Sequence, residues 1–162
     1  MRDYQRYAII VAIFATMLYV AAVVAALGMI SLVTNTDVIT EADAGPLVGP
    51  FMVGAATVVV LFFMVGIGIR TSPERQHVAV VASLIAGVVA LCAFVATGGL
   101  LYGVGSGNAV DIVLFAGARL GGPYAWAAGI LAFVVTLLYS IVLASRVGEN
   151  GRPLWPWERR GE

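Results

Sequence analysis

The chain has 162 residues, 61% of them hydrophobic and 11% charged, with a formal net charge of zero. That balance excludes a basic nucleic-acid binder. Of the 162 residues, 99 lie in four runs without Asp, Glu, Lys, Arg or His (7–33, 47–69, 78–104 and 124–145), which leaves no room for a soluble domain.

Each run holds 22 to 27 residues, and about 20 apolar residues suffice for a helix to cross a hydrocarbon core of roughly 30 Å. Backbone groups in lipid must be satisfied within the segment, and continuous apolarity does not fit the alternating strands of a barrel. The expected fold is all-α: one four-span domain over residues 1–162, a transmembrane four-helix bundle of two helical hairpins.

All nine basic residues are Arg, and eight of them (Arg2, Arg6, Arg70, Arg75, Arg146, Arg152, Arg159, Arg160) fall in the terminal and middle segments that four spans place on one side. The positive-inside bias makes that side cytoplasmic, with both termini in. Asp37, Glu41, Asp43, Asp111 and the lone Arg119 are then external. The absence of Lys beside abundant Ala, Val and Gly suits a high-GC bacterial source and a cytoplasmic (inner) membrane.

In chain order, the first span follows Tyr4 and Tyr7 and ends where Thr34, Asn35, Thr36 and Asp37 switch to turn chemistry. Its apolar run far exceeds the 7 to 15 residues of a signal-peptide core, so it is expected to be retained. Gly45, Pro46, Gly49 and Pro50 mark entry into the second span. Before the third, either Ser72 with Pro73 or Thr71 with Glu74 offers a helix start. Between the third and fourth spans, Asn108 and Asp111 resemble a helix start, Val110, Val113, Leu114 and Ala118 recur at helical spacing, and Gly121 and Gly122 offer a stop. This predicts a short amphipathic helix in the second outer loop, lying on the membrane surface; the alternative is a re-entrant element lining a cavity. A weak repeat (Asp37 to Pro50 against Asp111 to Pro123) suggests hairpins related about the membrane normal; Gly-Pro endings common to outer hairpins explain it as well.

Few residues carry chemistry. Small residues recur every four positions: Gly99, Gly103 and Gly107 form a glycine zipper in the third span, and Ala128, Ala132, Thr136 and Ser140 a matching stripe in the fourth. These are expected to be helix-packing positions, within the chain or in a homo-oligomer. Tyr19 and Tyr139 lie deep in their spans, with Thr16, Thr57, Thr97, Thr136 or Ser140 as expected hydroxyl partners. Cys92 is alone, so it forms no internal disulfide, and with no His nearby it is expected to be a packing residue. The spacing of Asp37, Glu41 and Asp43 matches no calcium loop. Trp155, Trp157, Arg159 and Arg160 in the tail are expected at the membrane interface, against anionic lipid.

The segment Asp43–Pro50 and the tail Trp155, Pro156, Trp157, Glu158, Arg159, taken with four spans and an Arg-only basic set, resemble the small four-span actinobacterial membrane proteins catalogued as a domain of unknown function. The resemblance implies a fold and a cytoplasmic-membrane address and brings no catalytic residues. The spans lack the membrane-embedded Glu of small multidrug exporters and the Arg and Glu of membrane glutathione-type transferases. No catalytic residue, cofactor site or metal site is expected. The expected role is a non-catalytic accessory or self-associating subunit, with the lipid bilayer and a homo-oligomer or larger membrane complex as partners and no nucleic acid. A small transporter or channel subunit with an uncharged pathway is the alternative.

Overall fold

A computed structural model describes residues 2–39, 45–70 and 78–145. They form five helices: α1 (Arg2–Thr34), α2 (Val48–Arg70), α3 (Val80–Ser106), α4 (Ala109–Leu120) and α5 (Pro123–Ser145). There is no strand among the described residues. Four of the helices are long and apolar enough to cross a membrane. They coincide with the four charge-free runs to within five residues at each end, since apolar side chains set where a helix can stay in lipid.

The long helices form a ring in which α1 touches α2, α2 touches α3, α3 touches α5 and α5 touches α1, with a further contact across the ring between α2 and α5. The ring has a distal end, with Thr34, Val48 and Ser106, and a proximal end, with Arg2, Arg70, Val80 and Ser145. Its centre is filled by Tyr19, Tyr139, Phe94, Met52 and Met64, all essentially without exposure. The periphery is apolar too: Phe14, Met17, Phe62, Val81 and Ile130 are exposed on different helices. Apolar cover of that extent is what a hydrocarbon solvent permits and water does not.

Two tyrosines lock α1 to α5. Tyr19 donates its hydroxyl to the Ala128 carbonyl at 3.2 Å, and Tyr139 donates to the Ala8 carbonyl at 3.1 Å. Both partners are therefore backbone carbonyls, not the Thr and Ser side chains expected from sequence, because a helix carbonyl keeps a second lone pair free for such a bond. The α3–α5 contact is closer. A Cβ on Gly87 would lie 2.9 Å from the Gly129 carbonyl oxygen, and one on Gly129 would lie 2.9 Å from the Cβ of Leu91. Helix backbones come together where neither side chain intervenes.

α3 starts without a side-chain cap of its own: Ala79 is its N-cap. Ser140 of α5 supplies the missing acceptor, taking the Ala79 N–H at 3.3 Å. The helix-start signals at Thr71, Ser72, Pro73 and Glu74 lie outside the described residues. Cys92 is exposed on α3, so it lines the periphery instead of packing between helices.

Candidate functional site

Polar groups gather in the distal half of the bundle, around the junction of α4 and α5. α3 terminates at Gly107, whose φ of 69° is the left-handed geometry glycine adopts without strain. Asn108 then caps α4, its side-chain oxygen accepting the Val110 N–H at 3.1 Å while its amide donates to Asp111 at 3.3 Å. The Asn-Asp helix start expected from sequence thus forms.

α4 folds back along α3. Gly99 and Gly103 are buried against Ile112, and Ala116 also approaches Gly99. Phe115 is buried beside Gly98 and Met52 and stacks on Tyr102, with ring centroids 5.2 Å apart. The neighbour of the glycine stripe is therefore a helix of the same chain. Gly107 does not belong to that face: no described residue lies within 4 Å of where its Cβ would stand, and its role is to end the helix. Ala128, Ala132, Thr136 and Ser140 are all buried along α5, and the Thr136 hydroxyl has no hydrogen-bond partner among the described residues. Gly68, Gly98 and Gly129 are contact glycines the four-residue spacing missed. Their only sequence signal is small size at a helix face, which many exposed glycines share.

Arg119, in the last turn of α4, places its guanidinium 4.9 Å from the centroid of the Phe115 ring and donates to the Val38 carbonyl at 2.7 Å. A cation over an aromatic face is favourable by about 0.5 to 2 kcal/mol, more as water is excluded. Tyr124, buried at the start of α5, donates to the Thr36 carbonyl at 2.6 Å. The Thr36 hydroxyl lies 2.7 Å from that of Thr34. One basic and one phenolic side chain thereby tie the α4–α5 junction to the turn that follows α1.

The faces of α4 are reversed relative to a surface helix. Val110, Val113, Leu114, Gly117, Ala118 and Leu120 are exposed, whereas both charged residues, Asp111 and Arg119, are half-buried on the side that carries Phe115. The stripe Val110, Val113, Leu114 and Ala118, recognised by its spacing, points away from the bundle.

The described residues contain no group of three or more His, Cys, Asp or Glu able to hold a metal ion. The hydroxyls of Thr16, Thr57, Ser83 and Ser140 each donate to a carbonyl three or four residues earlier in their own helix. Such bonds satisfy a hydroxyl in apolar surroundings and activate no nucleophile. Beside a groove of about 540 Å³ between α2 and α3 along Phe62, Ile67 and Ala82, two more open on the periphery of the bundle. One, of about 680 Å³, lies between α1 and α2 along Val20, Val24, Gly49, Gly54 and Thr57. The other, of about 150 Å³, lies between α3 and α5 along Leu84, Val88, Leu91, Trp126 and Phe133. Glu41, Asp43, His77, Trp155, Trp157, Arg159 and Arg160 lie outside the described residues.

A family model described as a family of unknown function, DUF6121, matches residues 1–162. The chain belongs to that family. No curated protein and no solved structure matches it. Membership agrees with the resemblance to a domain of unknown function, and the four long apolar helices fit a multi-pass membrane protein.

Proposed function

We propose that this member of DUF6121 is a non-catalytic subunit of the bacterial cytoplasmic membrane that works by association, with further copies of itself or within a larger membrane complex, both termini facing the cytoplasm. One observation carries the reading: the centre of the ring is filled with side chains, while a groove of about 680 Å³ opens outward between α1 and α2. That groove is floored by Gly49, Gly54 and Thr57, residues small enough to admit a neighbouring helix. Charge distribution supports the orientation, since Arg70 closes α2 at the proximal end and Arg2 and Arg6 sit in the first turns of α1.

Gly54 makes the test clean. No described residue lies within 4 Å of where its Cβ would stand, so Gly54→Leu fills the groove without displacing any of them. Wild-type protein extracted from native membranes in mild detergent is expected to have a mass above one chain, and Gly54→Leu to reduce it. A wild-type single chain, or a Gly54→Leu variant that assembles unchanged, overturns the proposal.

The second reading, a small transporter subunit with an uncharged pathway, draws on the α4–α5 break. Transporters place substrate sites at interrupted helices, and this interruption carries Arg119 and Tyr124. Solute flux through reconstituted protein, abolished by Tyr124→Phe, would favour it over association.

A further inference from the structure

We propose that α4 is an embedded half-span, lying within the hydrocarbon of the distal leaflet with its outer face against lipid acyl chains, so that α4 and α5 together form one interrupted span. Three independent observations lead there.

The first is register. Tyr19 bonds to Ala128 and Tyr139 to Ala8, so α1 and α5 are antiparallel and level at two points eleven residues apart on each helix. From the upper point α1 continues fifteen residues to Thr34, whereas α5 has only five left before Pro123. At about 1.5 Å per residue, α5 begins roughly 15 Å short of the end of α1. The Gly87–Gly129 approach gives a similar shortfall against α3, roughly 20 Å, since α3 runs on nineteen residues to Ser106 while α5 has six left. The shortfall compares with half of a hydrocarbon core about 30 Å thick. α4 occupies the missing length, since Ile112 sits against Gly103 and Gly99, and Phe115 against Gly98, one to two turns below the end of α3.

The second is polarity. A helix resting on the membrane surface turns charge to water and apolar residues to lipid and protein. α4 turns both of its charges toward the bundle and leaves Val113 and Leu114 outward, 71% and 64% exposed. This face continues the apolar periphery of its neighbours, represented by Val104 on α3 and by Trp126 and Ile130 on α5. Hydrocarbon is the solvent such a face fits.

The third is the chemistry of the break. Interrupting a helix frees carbonyls, and in lipid these must find donors within the protein. Gly122 donates its N–H to the Arg119 carbonyl at 3.1 Å, and Trp126 donates its indole N–H to the Leu120 carbonyl at 3.0 Å although its ring is exposed. A tryptophan at a water interface has no need to turn its N–H inward.

The test places single cysteines at Val113, Leu114 and, as reference, Asn108 in a Cys92→Ala background. Each protein is labelled with an environment-sensitive fluorophore and reconstituted into phosphatidylcholine vesicles with or without bromine on the acyl chains. Melting temperatures within error of the Cys92→Ala parent establish that each variant is folded. Labels at 113 and 114 are expected to be quenched by brominated lipid and untouched by iodide present on both sides, with the reverse pattern at 108. Iodide quenching at 113 and 114 equal to that at 108 places α4 in water and overturns the proposal. Insensitivity to both quenchers means that protein covers this face, and overturns it equally.

Discussion

Ile112 of α4 occupies the space that a side chain on Gly103 of α3 would need, and its own carbonyl lies 3.0 Å from where a Cβ on Gly99 would stand. The two glycines are thus the floor on which α4 rests. Replacing Gly103 with Leu inserts four carbons where Ile112 now lies, and overpacking of this kind costs about 1 to 3 kcal/mol. Gly103→Leu is expected to lower thermal stability in detergent, whereas Leu101→Ala, at a residue 37% exposed, does so less. Because the neighbour belongs to the same chain, native mass is expected not to change. A fall in mass without a fall in melting temperature would mean that the stripe faces another copy.

Removing either hydroxyl that joins α1 to α5 is a smaller perturbation. Tyr19→Phe and Tyr139→Phe each delete one bond to a carbonyl, and interhelical bonds in membranes contribute about 0.6 to 2 kcal/mol. The two sites stand eleven residues apart along α1, on the order of 16 Å, beyond the range where such effects couple. Reversible unfolding in mixed micelles is expected to give a double-variant loss equal to the sum of the single losses. A loss well above the sum would mean that the two bonds act as one unit.

Much of this architecture is legible in the sequence, and for a physical reason: lipid penalises every unpaired charge and backbone group, so the charge-free runs mark the helices directly. Asn108 and Gly107 are equally readable, because capping and left-handed geometry are local requirements. The placement of α4 is not. Val110, Val113, Leu114 and Ala118 do form a helical stripe, but spacing alone does not say whether an apolar face meets protein or lipid, and here the partner face is the one holding Asp111, Phe115 and Arg119. The tyrosine bonds are hidden for a related reason, since their acceptors are backbone carbonyls and every residue carries one. Arg119 stands out in the sequence only as the basic residue apart from the segments that hold the other eight; what it touches depends on Val38, eighty-one positions away.

Orientation is testable through the two ends of the bundle. With Cys92 changed to Ala to remove an exposed thiol, a cysteine at Glu162 is expected to be protected from an impermeant maleimide in intact cells and one at Glu41 to react. Protection at 41 with reaction at 162 reverses the topology and makes the distal end cytoplasmic.

Gly68 offers the most discriminating packing test, because it touches the tyrosine lock itself. A Cβ there would stand 2.5 Å from the Tyr139 hydroxyl oxygen and 2.8 Å from the Cβ of Ala8, the residue whose carbonyl that hydroxyl engages. Gly68→Ala therefore pushes on both partners of the bond at once. In a Tyr139→Phe background the oxygen is gone and only the Ala8 contact remains, so the same substitution meets less resistance. A double-mutant cycle is expected to give a Gly68→Ala loss that is smaller in Tyr139→Phe protein than in wild type, with a coupling of about 0.5 to 3 kcal/mol, the range for residues in direct contact. The comparison is internal, since α2 carries no other change between the two backgrounds. Equal losses in both would mean that the α2 backbone stands farther from α5 than the contact of Gly68 with Tyr139 requires.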